Sequence, residues 1–267
     1  MGRLKLCALT GAVIFLAPSA GALAADYFPP PPVQIGSAWY LRGHIGMAAQ
    51  HFGGLDHPDF ATPAFFEWLD PGQFDAVPIF GVGVGYRHSE HLRFDLTGEY
   101  RGKSAFTALD RYDFDSNPID YAGVWGTNHY TGKKSEWLFL VNGYFDLATW
   151  HGVTPYVGAG IGASYNSIYD FLDDNVIVGG QGWAPTGHKW NLAWALHAGA
   201  GIQVTNNLTV DLGYSFVSLG DAQTGDFVNS DPINYPCLGG VCSPMTFQDL
   251  YSHDVKLGVR WAFDQPY

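Results

Sequence analysis

The chain has 267 residues, with 13 Lys and Arg against 25 Asp and Glu, a formal charge of −12, 47% hydrophobic residues and only 14% charged ones. So acidic a chain excludes the phosphate backbone of nucleic acid as a partner. The charged fraction is far below the roughly 25% of soluble domains. Yet past the first two dozen residues no window approaches the about 20 consecutive apolar residues of a membrane-spanning helix.

The N-terminus reads as an export signal, residues 1–24. Arg3 and Lys5 give a basic start, and Leu6 to Leu16 is apolar apart from Thr10 and Gly11. That run is too short to span a bilayer, and Ala22-Leu23-Ala24 fits the small-residue rule for cleavage, so the mature chain is expected to begin at Ala25 or Asp26. Loss of Arg3 and Lys5 then leaves a charge of −14. Cys7 leaves with the signal. Residues 25–36 contain Pro29 to Pro32, which lack backbone donors, and are expected to form an extended periplasmic leader.

From Trp39 onward the sequence alternates with period two, the mark of a strand with two unlike faces. Eight such segments follow one another: 39–47, 80–87, 92–101, 136–147, 156–163, 191–204, 208–216 and 254–263. One face carries Trp, Leu, Val and Phe; the other carries Gly and Ser with a few charges. The connections at Ser89-Glu90, 149–152 and Asn206-Asn207 are short. Those at Gln50–Asp75, Gly102–Ser135, Asn166–His188 and Val217–Gln248 are long. Strict alternation of short and long links is the pattern of a barrel with periplasmic turns and surface loops. A soluble eight-stranded barrel would instead put its apolar row inside and show a Lys- and Glu-rich outer face. Here the glycine-rich polar face suits a narrow interior, and aromatic residues such as Trp39, Tyr86, Tyr100, Trp137, Phe145, Tyr214, Trp261 and Phe263 on the apolar face suit girdles at the lipid headgroups. The expected fold class is therefore all-β, an eight-stranded antiparallel up-and-down transmembrane β-barrel over residues 37–267, with four long extracellular loops.

The last strand, with Lys256, Gly258, Trp261 and Phe263, looks like the signal read by the barrel-insertion machinery, although Asp264 to Tyr267 follow it. Further stretches carry a likeness: Ala24-Ala25-Asp26 before the proline run, Trp39-Tyr40-Leu41-Arg42-Gly43, Thr154-Pro155-Tyr156-Val157-Gly158-Ala159-Gly160-Ile161-Gly162, and Asn206-Asn207-Leu208-Thr209-Val210-Asp211-Leu212-Gly213-Tyr214. On these the chain resembles the small OmpA-like outer-membrane proteins of alphaproteobacteria. The resemblance implies location in the cell outer membrane and roles such as envelope integrity, surface adhesion or, in some members, haemin binding, with no motif that transfers to numbered residues.

Inward charges must be paired to be tolerated, so Arg93, Glu99, Arg101 and Glu136 on neighbouring strands are expected to form a salt-bridge network that plugs the lumen or, alternatively, gates a narrow ion path. Cys237 and Cys242 are expected to form a disulfide in an oxidising compartment. No metal or cofactor is expected. The stretch Asp110 to Asn117 starts like a calcium loop, but Pro118 and Val124 occupy the positions of its turn glycine and bidentate Glu. No enzyme is expected either: consecutive His88-Ser89-Glu90 cannot stack nucleophile, base and orienter. The expected function is an envelope structural and surface-interaction role, the alternative a narrow porin for ions or small solutes. Partners would be outer-membrane lipid and lipopolysaccharide, the insertion machinery and a loop-bound surface ligand, the chain itself being monomeric.

Overall fold

A computed structural model of the chain describes residues 39–61, 65–113, 126–175, 179–230 and 242–263. The expected signal segment and proline leader, Cys237, residues 114–125 and the four C-terminal residues lie outside them. In chain order the strands are β1 (Trp39–His51), β2 (Gly54–Asp56), β3 (Phe65–Phe74), β4 (Val77–Arg87), β5 (Leu92–Asp113), β6 (Asn128–Asp146), β7 (Val153–Asn175), β8 (Gln181–Ala184), β9 (Gly187–Gln203), β10 (Leu208–Asp226), β11 (Val228–Asn229) and β12 (Pro244–Ala262). A 3-10 turn, Pro58–Ala61, separates β2 from β3.

Eight of these strands close on themselves. The order β1-β4-β5-β6-β7-β9-β10-β12 returns to β1, each neighbour antiparallel. Closure leaves no unpaired ladder edge, which hydrocarbon would penalise at several kcal/mol per group. The eight period-two segments of the sequence are these eight strands, and the short links at residues 88–91, 147–152 and 204–207 sit at the same end as both barrel termini.

The faces divide as the alternation requires. Val82, Leu96, Val141, Ile161, Leu196, Leu212 and Leu257 are more than half exposed on the outside, and Leu41 nearly so. Glu99, Arg101, Asn142, Asp211 and Asp254 point inward and are buried. Large inward side chains fit because glycines face them. A methyl group on Gly81 would lie 2.2 Å from the His44 ring, and one on Gly85 would lie 2.1 Å from Tyr40.

The strands run on well beyond the lipid. β5 has 22 residues, about twice the 9–11 that cross the hydrocarbon. Sequence reading ends it near Arg101 because the alternation changes phase there. Between Arg101 and Ser104 one extra residue enters β5; similar irregularities sit at Asp170 in β7, Gly220 in β10 and Asp249 in β12, each with positive φ (50°, 69° and 51°). Each bulge resets which parity points inward. Above them polarity also inverts: Phe106, Ala108, Tyr130, Phe171, Phe247 and Leu250 are buried inside, while Lys103, Thr107, Lys133 and Asp170 face out. The stretches expected as long loops are thus largely strand, extending the wall into water around an apolar core.

The lipid-facing assignment has a direct energetic consequence. Val141, 58% exposed, sits on β6 between Phe145 near the periplasmic turn and Trp137 at the outer belt. Val141→Arg is expected to lower folding stability in phospholipid vesicles by about 2–4 kcal/mol, and Thr107→Arg on the water-facing extension by less than about 1 kcal/mol, as read by urea titration of tryptophan fluorescence.

Candidate functional site

The barrel interior is the candidate site, and it is filled in layers. Nearest the periplasm, Arg93 on β5 donates to Asp146 on β6 at 2.9 and 3.1 Å and lies over the rings of Tyr144 and Tyr156, 4.0 and 4.7 Å from their centroids. Arg260 donates to Asp211 at 2.7 and 2.9 Å. One layer up, Arg42 on β1 donates to Asp95 on β5 (2.7 Å) and to the Tyr144 hydroxyl (2.8 Å), and Asn142 donates to the other Asp95 oxygen at 2.8 Å.

The third layer spans the lumen. Lys256 on β12 donates to Glu99 on β5 at 2.6 Å, and His44 Nε2 is 3.2 Å from the same carboxylate oxygen. Arg101, completely buried, donates to both Asp254 oxygens at 3.0 and 2.7 Å, to the Ser252 hydroxyl at 2.7 Å and to Glu99 at 3.3 Å. Its Nε is 3.8 Å from Glu136, which pairs with Lys134 and accepts from Gln50 at 2.9 Å. Charge-assisted and bidentate bonds of this kind are the strong ones, and here they replace the water that desolvation removes. A cavity of about 20 Å³ lies among Arg42, His44, Glu99, Asn142, His197 and Lys256. That is room for about one water.

Above the charges, the apolar core closes the barrel. Phe52, Phe74, Phe106 and Phe247 pair edge-on or tilted at 4.9–5.8 Å. Near its top Tyr130 and the side-chain amide and backbone of Asn128 donate to buried Asp110. Burial, and then the charges of Asp110 and Asp174, push the Asp173 carboxyl up to about 8; burial also raises Asp110 and, with Asp173 and Asp110, raises Tyr130.

The sequence matches the Outer membrane protein beta-barrel domain family over residues 10–263. The chain belongs to this family. An uncharacterized protein of Brucella abortus (strain 2308) is 30% identical over 258 residues, 88% of each chain. A Rickettsia prowazekii (strain Madrid E) protein, named by inference as an adhesin, is 28% identical over 236 residues, 85% of this chain and 89% of that one. The crystal structure of the outer membrane protein OprG from Pseudomonas aeruginosa covers 85% of this chain and 97% of its own, with 10% identity and a TM-score of 0.46.

Within this outer-membrane barrel the four lumen residues singled out by sequence separate into two groups. Glu99, Arg101 and Glu136 meet in one cluster. Arg93 does not join them: it lies three inward positions below Glu99 on β5, nearer the periplasm, and pairs with Asp146. The principal partners of Arg101 and Glu99 are Asp254 and Lys256 on β12 rather than groups on the next strand. Lys134 and Gln50 escaped the reading because they lie in segments expected as loops. Cys242 is disulfide-bonded; its expected partner Cys237 is outside the described residues. On β12 Lys256 faces the lumen, Gly258 lies beside His44, and Trp261 is exposed at the periplasmic end of the outer wall, as is Phe263 just past the end of the strand. Ser89 Oγ accepts from the backbone N–H groups of His91 and Leu92 and so holds the turn. Among the described residues no three His, Cys, Asp or Glu side chains gather as for a metal.

Removing one member of a buried ion cluster strands the others. Arg101→Met is expected to cost about 3–5 kcal/mol, against about 0–1 kcal/mol for Glu67→Gln at the exposed Arg111 pair, measured by folding equilibria in the same vesicles.

Proposed function

We propose that this outer-membrane barrel is a sealed envelope protein whose work is done on its extracellular side as a surface-interaction, adhesin-type protein. The observation that carries the reading is the double closure of the lumen. Ion-paired side chains fill its periplasmic half, and an aromatic core fills the half that rises above the membrane. A conduit needs a continuous polar path of at least water width, whereas the cavity beside Glu99 and Lys256 lies within the ion-paired filling, has room for about one water and is overlain by the aromatic core.

The same architecture supports a role at the surface. A wall continued into water as paired strands holds the connecting segments on a rigid stalk, and rigid scaffolds presenting variable loops are the usual setting for recognition. The Rickettsia relative's inferred adhesin name points the same way. Contact with membrane lipid follows from embedding; the loop ligand is set by the segments between β5 and β6 and between β11 and β12.

The test has two arms. Refolded protein in planar bilayers is expected to show no stable single-channel conductance. Bacteria displaying the full chain are expected to adhere to epithelial cell layers more than an empty-vector strain does, and shortening of residues 114–125 is expected to reduce that adherence while heat-modifiable gel mobility still reports a folded barrel. Steady conductance without adherence would instead establish the narrow porin.

A further inference from the structure

One sector of the outer wall, formed by β5, β6, β7 and β9, differs from the rest. Its aromatic belt is continuous: Tyr100 lies 4.9 Å from Trp137, Trp137 stacks over Phe139, Phe139 over Trp190, and Trp190 is 4.8 Å from Tyr165. Trp190 is 61% exposed and Trp137 47%. Aromatic groups of this kind settle at the headgroup level of a bilayer.

Directly above this belt, in an otherwise strongly acidic chain, stand two outward lysines. Lys103 lies in the β5 bulge, between Arg101 and Ser104. It is exposed, and its ammonium reaches across β6 to lie 4.9 Å from the centroid of the Tyr169 ring. Lys133 stands between them, opposite Ala105 on one side and Tyr169 on the other, with its side chain 51% exposed. Tyr169 is held in place by the Ser135 hydroxyl, which donates to its oxygen at 3.2 Å. His188 completes the row, stacked on Tyr165 at 5.2 Å, edge-on to Tyr169 at 6.3 Å, and joined through Nδ1 to Ser167 at 2.8 Å.

The charge balance of the patch is positive. Lys133 pairs with Asp170 at 3.0 Å, and Asp170 lies in the field of both lysines. Lys103 makes no ion pair of its own among the described residues. The other cations of the extension are neutralised: outward Arg111 by Glu67, and Lys189, which lies opposite buried Asn166 on the inner face of β9, by Asp221. The opposite sector, on β10, β12 and β1, carries Tyr214, Phe216, His253, Tyr251 and His51 at the corresponding level and no lysine or arginine.

We propose that the Lys103–Lys133–Tyr169 patch with the aromatic belt beneath it is a docking site for one phosphorylated glycolipid of the outer leaflet. Its phosphates meet Lys103 and Lys133, its sugar ring lies against Tyr169 and His188, and its acyl chains run down Trp137, Phe139 and Trp190. This deepens the membrane-lipid reading and rests on the belt marking the outer-leaflet surface; it is independent of any adhesive role. Charge complementarity selects the occupant, because phosphate groups lie at this depth and a lysine near such a surface strengthens binding by about fivefold.

The experiment is native mass spectrometry of the folded full chain in detergent, titrated in turn with diphosphoryl lipid A, the same glycolipid stripped of both phosphates, and phosphatidylglycerol. The expected result is preferential retention of one diphosphoryl lipid A, weakened by about tenfold or more in Lys103→Ala/Lys133→Ala, retained in Lys103→Arg/Lys133→Arg and unchanged in Lys189→Ala. Gel mobility before and after heating verifies the fold of every variant, and the charge-conserving pair serves if the alanine pair does not fold, since it must then still bind. Equal retention of the dephosphorylated glycolipid, equal retention of phosphatidylglycerol, or undiminished binding by a folded alanine pair would each overturn the site. None of these outcomes bears on adherence to cells, so the two readings fail separately.

Discussion

Within hydrocarbon a peptide group has no water to bond with, and that single constraint shapes the whole molecule. It forces the eight strands to pair around a full circle, from β1 through β12 and back. Closure in turn creates an interior cut off from bulk water, whose walls carry whichever residues do not face lipid. With eight strands the interior is only wide enough for side chains. Its charges therefore have to satisfy one another, and they do so across the lumen: Arg42 on β1 with Asp95 on β5, Glu99 and Arg101 on β5 with Lys256 and Asp254 on β12.

The solvent outside the wall changes part-way along each strand, and the inner filling changes with it. Where lipid surrounds the barrel, apolar groups face out and ion pairs fill the centre. Where water surrounds it, phenylalanines fill the centre and polar groups face out. The apolar filling begins slightly below the change, at Leu138, Leu140, Ala193 and Ala195, so the two cores overlap rather than meet at a plane. Bulges in β5, β7, β10 and β12 mark the transition and leave Lys103 and Lys133 displayed at the membrane surface.

How much of this could be read beforehand follows from the physics of each signal. Period-two alternation is local, so the eight strands, their order, the outward face of residues such as Val82 and Leu257 and the alternation of short and long links were all legible. A bulge is a one-residue insertion with no strong sequence mark. Asp170 and Asp249 look like ordinary loop acids until their positive φ is seen. Past them the alternation restarts in the opposite phase, so the upper parts of β5, β7, β10 and β12 read as loops; Lys134 on β6 and Gln50 on β1 keep the phase of their strands and went unplaced because they fell within the segments counted as loops. Pairing across the lumen was equally hidden. Arg93 and Arg101 share one strand face, yet the stagger of the strands gives one to Asp146 at the periplasmic end and the other to Asp254 in the centre.

The central claim is that one continuous strand faces lipid and then water on its outer side while its inner side changes from charged to apolar. A nitroxide scan along Leu92–Asp113 of the protein in vesicles, comparing collisions with dissolved oxygen and with a water-soluble nickel chelate, tests it directly. The account requires oxygen contact peaking at 94, 96, 98 and 100, then, past the insertion at 102–103, nickel contact peaking at 105, 107, 109 and 111. A single unbroken alternation through all of these positions, or nickel contact at 96 and 98, would contradict it.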